Sequence, residues 1–385
     1  MCSSSPGDDA SGRYTGRLTA TLQGLSARSE DEQRRAGYRD TLREILQQPE
    51  TWVETERLVR SSGVAIPAST RAIVFTGSGS SEYAGACAVA SLQRELAIAV
   101  SAVGGGAILA DPRGAVPPIR PCLMVSLARS GNSPESCGVI ETLREIAPDI
   151  QHLAITCNPD GRLAKMPGIQ VLLLPERTHD ASFVMTSSVT NLVLASRLLG
   201  RLDTDAVAAW SSAAAGILKN HSDTIADIAR SGFRRAVYLG TGDLFGAARE
   251  GALKMMEMTA GRVMAMAETW LGVRHGPMSA IDHDTLIVGF ISVGEPARAF
   301  ELDVLASMKR KGLGATTLLA GDVTGQRADA LIQSPDTPMP AILVSQLLAF
   351  FRCLSEGLKP DSPSPDGVIT RVVESFSIHK GGSRP

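Results

Sequence analysis

A run of small hydroxyls and a glycine follows an apolar segment in the stretch Val125–Ser136, VSLARSGNSPES. The preceding residues CLMV, Cys122–Val125, predict a buried strand because they form a short apolar run after two prolines. Ser133 and Pro134 predict a helix start, since serine is a common N-cap and proline fits the first helical position. A loop between a strand and a helix directs backbone N–H groups and the positive helix end at one point. The stretch therefore predicts an anion site, such as one for a phosphate group.

A loop of the same kind comes earlier in the chain, after the predicted strand AIVFT, in the residues GSGSSEYAG. In chain order this is the first loop, and the loop within Val125–Ser136 is the second. We predict that both loops lie at the carboxyl ends of adjacent strands and hold one phosphate between them. The alternative is that they are only tight turns with helix caps. The side chains predicted to bind the phosphate are Ser80, Ser81, Arg129, Ser130 and Ser133.

The first loop only partly matches a dinucleotide-binding motif. It has the form G-x-G-x-x-E, with Glu82 where a third glycine would allow close contact between helix and strand. The next predicted strand, AVSAVGGGAI, carries no acidic residue to bind a ribose. The sequence also has no G-x-x-x-x-G-K-[ST] motif. These departures disfavour a nicotinamide enzyme and a nucleotide hydrolase.

Three charged residues, Glu250, Lys254 and Glu257, are spaced so that they lie on one face of a predicted helix. They could form a solvated charge ladder. However, their neighbours in EGALKMMEM are mostly alanine, leucine and methionine, which predicts a largely buried helix. Charges on a buried helix need partners or a function. Glu268 and His275, in AETWLGVRHGP, follow the helix and are further candidates for acid–base chemistry.

The composition is that of an ordinary globular protein. The 385 residues are 44% hydrophobic and 20% charged, and the formal net charge is −2. We therefore predict no nucleic-acid partner and no membrane partner, and no apolar stretch approaches the roughly 20 residues that span a bilayer. The six cysteines lack metal-ligand spacing, so we predict no metal site, no cofactor and a cytoplasmic location.

The sequence repeats itself at a constant offset. TRAIVFTGSGSSE, at Thr70, resembles RRAVYLGTGDLFG, at Arg234, so that Gly77 corresponds to Gly240, and three later elements keep the same offset. Short apolar strands alternate with stretches of helical length, which is typical of parallel sheets. The predicted fold class is α/β, with two tandem doubly wound parallel-sheet α/β/α domains and an N-terminal helical arm.

Four segments follow from this repeat and from composition. Residues 1–65 are predicted to be a disordered tail and the helical arm, and residues 66–204 the first, phosphate-binding domain. Residues 205–360 are predicted to be a linking helix and the second domain, and residues 361–385 a C-terminal tail. In the second domain the equivalent loops contain the acidic Asp243 and Glu295, which would repel a phosphate. We therefore expect the anion site in the first domain only.

Four motifs, GSGSSEYAG, RSGNS, EGALKMMEM and RHGPMSAID, resemble those of the sugar isomerase (SIS) domain. Their order is similar to that in the tandem isomerase module of glucosamine-6-phosphate synthase. The stretches SFVMTSSVTNL and KPDSPSPDGVITRVV resemble more closely the galactosamine-6-phosphate deaminase/isomerase family of the AgaS type.

This resemblance implies roles for individual residues. Ser80, Ser81, Ser130 and Ser133 match phosphate-binding hydroxyls, and Arg129 replaces a glutamine of the synthases. Glu257 matches the carboxylate that moves a proton between C1 and C2 of the sugar. Lys254 matches an active-site lysine. His275 matches a histidine that opens the sugar ring and comes from the neighbouring subunit, which implies a homodimer or higher homo-oligomer.

The implied activity is the conversion of galactosamine 6-phosphate to tagatose 6-phosphate and ammonia. Glu257 is the first candidate for the base, and Glu268 is the second. Three alternatives stay open at this point: an aldose–ketose isomerase without deamination, a non-catalytic module that senses sugar phosphates, and a purely structural tandem domain.

Overall fold

The computed structural model describes residues 19–203, 205–364, 369 and 377–379. The predicted disordered tail, at the start of segment 1–65, and most of the predicted C-terminal tail lie outside these described residues.

In the part of the chain that the structure describes, ten parallel strands form two sheets of five. They are β1 (Ala72–Gly77), β2 (Ala99–Gly104), β3 (Cys122–Ala128), β4 (Gln151–Thr156), β5 (Gln170–Leu173), β6 (Arg235–Gly240), β7 (Met264–Thr269), β8 (Thr285–Ile291), β9 (Thr316–Gly321) and β10 (Ala330–Gln333). The first sheet has the order β2-β1-β3-β4-β5 and the second has the order β10-β9-β8-β6-β7. Read from the other edge, the second order repeats the first. The predicted fold class, two doubly wound α/β halves, is confirmed.

Helices cover both faces of the sheets. They are α1 (Ala20–Ser26), α2 (Glu30–Ala36), α3 (Arg39–Leu46), α4 (Gln48–Ser61), α5 (Ser80–Ala86), α6 (Val89–Leu96), α7 (Gly105–Ala110), α8 (Pro112–Ala115), α9 (Pro134–Ile146), α10 (Ser187–Arg197), α11 (Ala206–Asn220), α12 (Ser222–Arg230), α13 (Asp243–Met258), α14 (Ala297–Arg310) and α15 (Pro338–Ser355). The arm predicted to be helical contains α1 to α4. The predicted linking helix is divided into α11 and α12 at His221.

The internal repeat is visible in the backbone. Strands β6 and β8 follow β1 and β3 at one constant offset, the same offset that takes Gly79 to Gly242. Gly79 has φ +57° and ψ −125°, and Gly242 has φ +56° and ψ −125°, each just before the first helix of its half. Side chains rarely adopt a φ of this sign, so each loop needs a glycine here. The offset that the sequence predicts is therefore confirmed at these positions.

Strand β7 is the element that the sequence reasoning missed. Its residues, MAMAET, continue the methionine- and alanine-rich composition of α13, and these residue types favour helix. The segment is a strand instead because it pairs with β6. The pairing runs from Met264 opposite Arg235 to Thr269 opposite Gly240. It is the counterpart of β2 at the edge of the second sheet.

Helix α15 packs against α13, α12 and α11 and lies in the core that the two halves share. Contrary to the expectation that no apolar stretch approaches the length of a membrane span, this helix of 18 residues is long and apolar enough to cross a membrane, but 89% of it is buried inside the described fold. Burial of this kind is typical of the core helix of a globular protein.

The two halves meet where the segment from α5 to α6 packs antiparallel to α13. Gly79 lies nearest to Leu253. Gly246 packs closely on Cys87, because a Cβ added at Gly246 would lie only 2.7 Å from the backbone nitrogen of Cys87. At the other end, Gly242 lies against Ala90. The carboxyl edge of the first sheet therefore faces the C-terminal half of α13.

Candidate active site

The two predicted phosphate loops follow β1 and β3, which are neighbours in the first sheet. The chain crosses from β1 to β2 on one side and from β3 to β4 on the other, so the strand order reverses between them. Ligands of doubly wound sheets bind in the crevice at this reversal point. The structure therefore brings both loops together at the carboxyl edge where a ligand is expected.

Ser80 and Ser81 begin α5 and are almost completely buried, with 5% and 6% of their surface exposed. The Ser80 hydroxyl lies close enough to Glu250 of α13 to lower the pKa of that carboxyl. The Ser81 hydroxyl lies 3.8 Å from the sulfur of Met185. The first loop is therefore in contact with the helix that carries the predicted base.

Ser130 and Ser133 lie in the second loop. The Ser130 hydroxyl accepts a hydrogen bond from the Asn132 backbone at 3.3 Å. Ser133 is the N-cap residue of α9, as predicted, with Pro134 in the first turn. Its hydroxyl is hydrogen-bonded to Ser136 Oγ at 2.7 Å and makes no capping bond to the helix backbone.

Arg129 is buried, with 7% of its surface exposed. Its Nη1 donates to the carbonyl oxygens of Ser182 and Phe183, each at 3.2 Å. The guanidinium is thus oriented by the chain segment between β5 and α10, a contact that the sequence did not predict.

A small pocket, partly open to solvent, lies next to the two loops. It is lined by Thr76, Gly77, Ser78, Gly105, Ser126, Leu127, Glu135, Ser136 and Val139. Among the described residues, the Thr76 and Ser126 hydroxyls and one oxygen of Glu135 have no hydrogen-bond partner. The five side chains predicted to bind the phosphate do not line this pocket, and the carboxylate of Glu135 would repel a dianion, so the pocket itself does not fit a phosphate.

Glu250, Lys254 and Glu257 lie on one face of α13, as predicted, and Lys254 contacts both carboxylates. The Lys254 ammonium lies 3.4 Å from Glu250 and forms a second, close ion pair with Glu257. Lys254 and Glu250 have no exposed surface, whereas 30% of the Glu257 side chain is exposed. Glu257 is thus the member of the group that a ligand can reach.

Burial raises the pKa of Glu250 to about 7, although the positive charge of Lys254 counteracts this shift. Burial acts to lower the pKa of Lys254, but the two carboxylates outweigh it and the net shift is upward. Lys254 therefore stays protonated, and its charge is held next to the carboxylate that is open to solvent.

Glu268 lies away from this group within one chain. Ala265 and Ala267 of β7 pack into the core that includes α13, while Met266 packs on the opposite face, against Trp270. Because successive side chains of a strand alternate, Glu268 shares the face of Met266. Its carboxylate accepts a hydrogen bond from the Thr269 backbone at 2.8 Å.

His275 is exposed, in a turn beyond the carboxyl end of β7. Helix α13 begins at the carboxyl end of the neighbouring strand β6 and runs to the other edge of the sheet. Glu257 lies in the last turn of α13, so roughly 20 Å of helix separates it from that end. The structure does not bring His275 and Glu257 together within one chain.

In the second half, acidic side chains of the protein itself accept hydrogen bonds in the loops that correspond to the two phosphate loops. Glu301 of α14 is fully buried and accepts hydrogen bonds from the backbone and hydroxyl of Ser292, which follows β8, at 2.7 and 2.8 Å. Asp243 accepts from the backbone of Ala90 at 2.8 Å and so caps α6 of the first half. Glu295 is exposed and accepts from Ala299. This loop pair differs from that of the first half, as the sequence predicts.

Among the described residues, no group of three or more histidine, cysteine, aspartate or glutamate side chains is arranged to hold a metal ion. Glu82, which interrupts the dinucleotide motif, accepts a hydrogen bond from Arg249 of α13 at 2.9 Å. Its carboxylate thus joins the two halves of the molecule.

The segment Asp180–Ser188, which follows β5 and extends into the first turn of α10, is the part of the site region to which the sequence assigned no role. It contains the carbonyls that bind Arg129 and the methionine that contacts Ser81. Its density of hydroxyl residues, in TSSVT, was the available signal.

Comparisons with known proteins identify relatives along nearly the whole chain, although no family model matches it. A Streptomyces coelicolor protein, named provisionally as D-galactosamine-6-phosphate deaminase AgaS, is 35% identical over 365 residues, which cover 88% of this chain and 95% of that protein. The D-galactosamine-6-phosphate deaminase AgaS of a Shewanella species is 34% identical over 358 residues, with coverage of 88% and 91%.

A solved structure from Clostridium novyi is similar in fold. It is described provisionally as a tagatose-6-phosphate ketose/aldose isomerase and is 32% identical, with a TM-score of 0.83. The match covers 92% of this chain and 98% of that one. The predicted family is therefore confirmed: the chain belongs to the AgaS family of D-galactosamine-6-phosphate deaminases.

Proposed function

We propose that this chain is an amino-sugar phosphate deaminase/isomerase that converts galactosamine 6-phosphate and water to tagatose 6-phosphate and ammonia. The observation that carries the proposal is the position of Lys254, a fully buried cation between Glu250 and Glu257, on a helix that contacts the hydroxyl-rich loop at Ser80. The names of the relatives at 34% and 35% identity support the substrate.

The substrate phosphate would bind at the rim formed by Ser80, Ser81, Ser130 and Ser133, with Arg129 supplying positive charge. Hydroxyls, free backbone N–H groups and a guanidinium are the usual partners of a phosphate. The adjacent C-terminal half of α13 then faces the sugar carbons, because Gly79 of the first loop lies against Leu253.

Glu257 would take the proton from C2 of the ring-opened sugar, since it is the exposed carboxylate of the group. The charge of Lys254, which is buried one turn earlier in α13, would stabilise the negative charge that develops on the C1 oxygen without direct contact. The resulting enolamine takes up a proton at C1 and becomes a 2-imine. Water adds to the imine carbon and ammonia leaves, which gives the ketose phosphate.

His275 would open the sugar ring in the site of a neighbouring subunit, because its exposed position does not reach Glu257 of its own chain. This arrangement requires a homodimer or a higher homo-oligomer. We further propose a cytoplasmic location, a small sugar phosphate as the ligand, and no nucleic-acid or membrane partner.

The test is to incubate the purified protein with galactosamine 6-phosphate, glucosamine 6-phosphate, their N-acetyl forms and galactose 6-phosphate, and to measure ammonia and ketose phosphate separately. The proposal predicts that ammonia and ketose appear in equal amounts from galactosamine 6-phosphate. Glu257→Gln is the matched control and should produce neither.

The other outcomes would contradict the proposal in distinct ways. Ketose from galactose 6-phosphate without ammonia from any amino sugar would show an aldose–ketose isomerase, an activity that the Clostridium novyi description names. Tight binding of a sugar phosphate without turnover would show a sensing module.

A further inference from the structure

A buried carboxylate of the N-terminal arm, Glu44 in α3, holds the segment Asp180–Ser188. Its Oε1 accepts hydrogen bonds from the backbone N–H groups of Ala181, at 2.6 Å, and Ser182, at 3.1 Å. Its Oε2 accepts from the hydroxyls of Ser182, at close range, and Thr186, at 2.9 Å. Glu44 has no exposed surface, so it can act only through these neighbours.

The same segment meets both phosphate loops. Ser182 and Phe183 present their carbonyl oxygens to Arg129 of the second loop, and Met185 contacts the Ser81 hydroxyl of the first. A shift of this segment therefore changes the direction of the Arg129 guanidinium. Its other anchors include Asp180, which binds Ser187 and Ser188, and Gln346 of α15, which donates to the Thr186 carbonyl.

We propose that Glu44 is a positioning residue for the substrate phosphate: it fixes residues 181–186, which in turn orient Arg129 toward the rim of the site. This inference rests on the proposed function for the identity of the ligand. The N-terminal arm thereby becomes part of the phosphate site. Glu44 itself contacts neither phosphate loop and acts only through residues 181–186.

The hydrogen-bond pattern accommodates a neutral Glu44. Burial raises the pKa of Glu44, and the nearby Asp180 carboxylate raises it further, while Arg43 lies 3.4 Å from Oε1 on the solvent side. A protonated acid donates to the Ser182 hydroxyl, which then donates to the Val184 carbonyl at 2.9 Å. A glutamine amide can accept both backbone bonds at its oxygen and can donate from its nitrogen to the Ser182 and Thr186 hydroxyls, so Glu44→Gln is a conservative variant.

Glu44→Ala leaves two backbone donors and two hydroxyls without their partner. We expect KM for the sugar phosphate to rise about tenfold, while kcat changes less than about threefold, because the affected contact is to the phosphate and not to the reacting carbons. Glu44→Gln should restore KM to within about twofold. Hydrogen exchange at the amides of Ala181 and Ser182 should accelerate in Glu44→Ala only.

Two further variants separate positioning from a general loss of stability. Glu301→Ala removes a fully buried carboxylate that holds a loop in the second half, and it should lower the melting temperature without raising KM. In an Arg129→Gln background, Glu44→Ala should raise KM by less than about twofold, since the contact through which it acts is already lost. If Glu44→Ala does not fold, Ser182→Ala removes one of the bonded hydroxyls and should raise KM in the same direction.

An unchanged KM in folded Glu44→Ala would overturn the inference. So would a rise in KM that is also present in Glu44→Gln, or a rise in KM that is as large in the Arg129→Gln background as in the wild type. The dissociation constants of galactosamine 6-phosphate and inorganic phosphate, measured by calorimetry, keep this result independent of turnover. If the wild type binds the sugar phosphate without releasing ammonia, the proposed function fails but the role of Glu44 is still tested.

Discussion

Lys254 is completely buried and Glu257, one helical turn later, is partly exposed, and the two form a close ion pair on α13. The pair thus joins a sequestered positive charge to a carboxylate at the surface of the cleft. Since Glu250 contacts the same ammonium from the buried side, at 3.4 Å, Lys254 has a carboxyl partner in both directions. This group and the loops beside it can be tested by mutation and by pH.

Replacing Glu257 with glutamine should give a folded protein whose kcat falls by ~10²–10⁴, the usual contribution of a general base, while the sugar phosphate still binds. The direct measurement is exchange of the C2 hydrogen with deuterated solvent. Glu268→Gln is the comparison variant, because Glu268 lies on the face of β7 that points away from α13. Wild-type exchange in Glu257→Gln, together with its loss in Glu268→Gln, would assign the base to Glu268.

Ser130→Ala should raise KM for the sugar phosphate with a smaller change in kcat, because one hydrogen bond to a charged phosphate is worth ~1.5–3 kcal/mol. Steady-state kinetics over a range of substrate concentrations measure both constants. The matched control is Ser292→Ala, at the corresponding edge of the second sheet, where the hydroxyl binds Glu301. An unchanged KM in Ser130→Ala would remove Ser130 from the phosphate site.

Subunits carrying His275→Ala and subunits carrying Glu257→Ala should each be inactive alone and should regain activity when mixed. A hybrid dimer contains one site in which both residues are intact. Random mixing therefore restores roughly a quarter of the wild-type activity of a dimer. The measurement is activity after the two variants are unfolded and refolded together, against each variant refolded alone. An active monomer would exclude a shared site.

Glu250 makes stability depend on pH. Its pKa is raised from 4.5 to about 7 in the folded protein, so the folded state holds a proton that the unfolded chain releases at lower pH. Binding of this proton stabilises the folded state by roughly 3 kcal/mol relative to high pH. The stabilisation is fully present below pH 4.5 and is lost as the pH rises through about 7.

Denaturant unfolding of the wild type and of Glu250→Gln, from pH 5 to pH 8, tests this dependence. The free energy of unfolding of the wild type should decrease more steeply with pH than that of the variant. Lys254 does not contribute in this range, because its own pKa is shifted upward from 10.5. Equal slopes for the two proteins would show that Glu250 is ionised in the folded state throughout.

Much of the fold is readable from the sequence because its signals are local. Strands β1 and β3 are short apolar runs that end at glycine- and serine-rich loops, and their copies β6 and β8 recur at one constant offset. The positions that need a glycine, Gly79 and Gly242, are identical in both copies since they depend only on the backbone of one turn. The spacing of Glu250, Lys254 and Glu257 likewise determines that they share a helix face.

Tertiary structure decided the rest, because it depends on contacts between residues that are distant in the chain. Met264–Thr269 has the composition of a helix and becomes β7 only by pairing with β6. Glu250 is buried and Glu257 is partly exposed because of how α13 packs against the segment from α5 to α6. The antiparallel contacts lie between Gly242 and Leu253, a stretch that contains Glu250 and ends before Glu257. The arm reaches the site through Glu44, whose hydrogen-bond partners lie in the distant segment between β5 and α10. No local pattern encodes such a contact, since burying a carboxylate is favourable only where the folded chain supplies its donors.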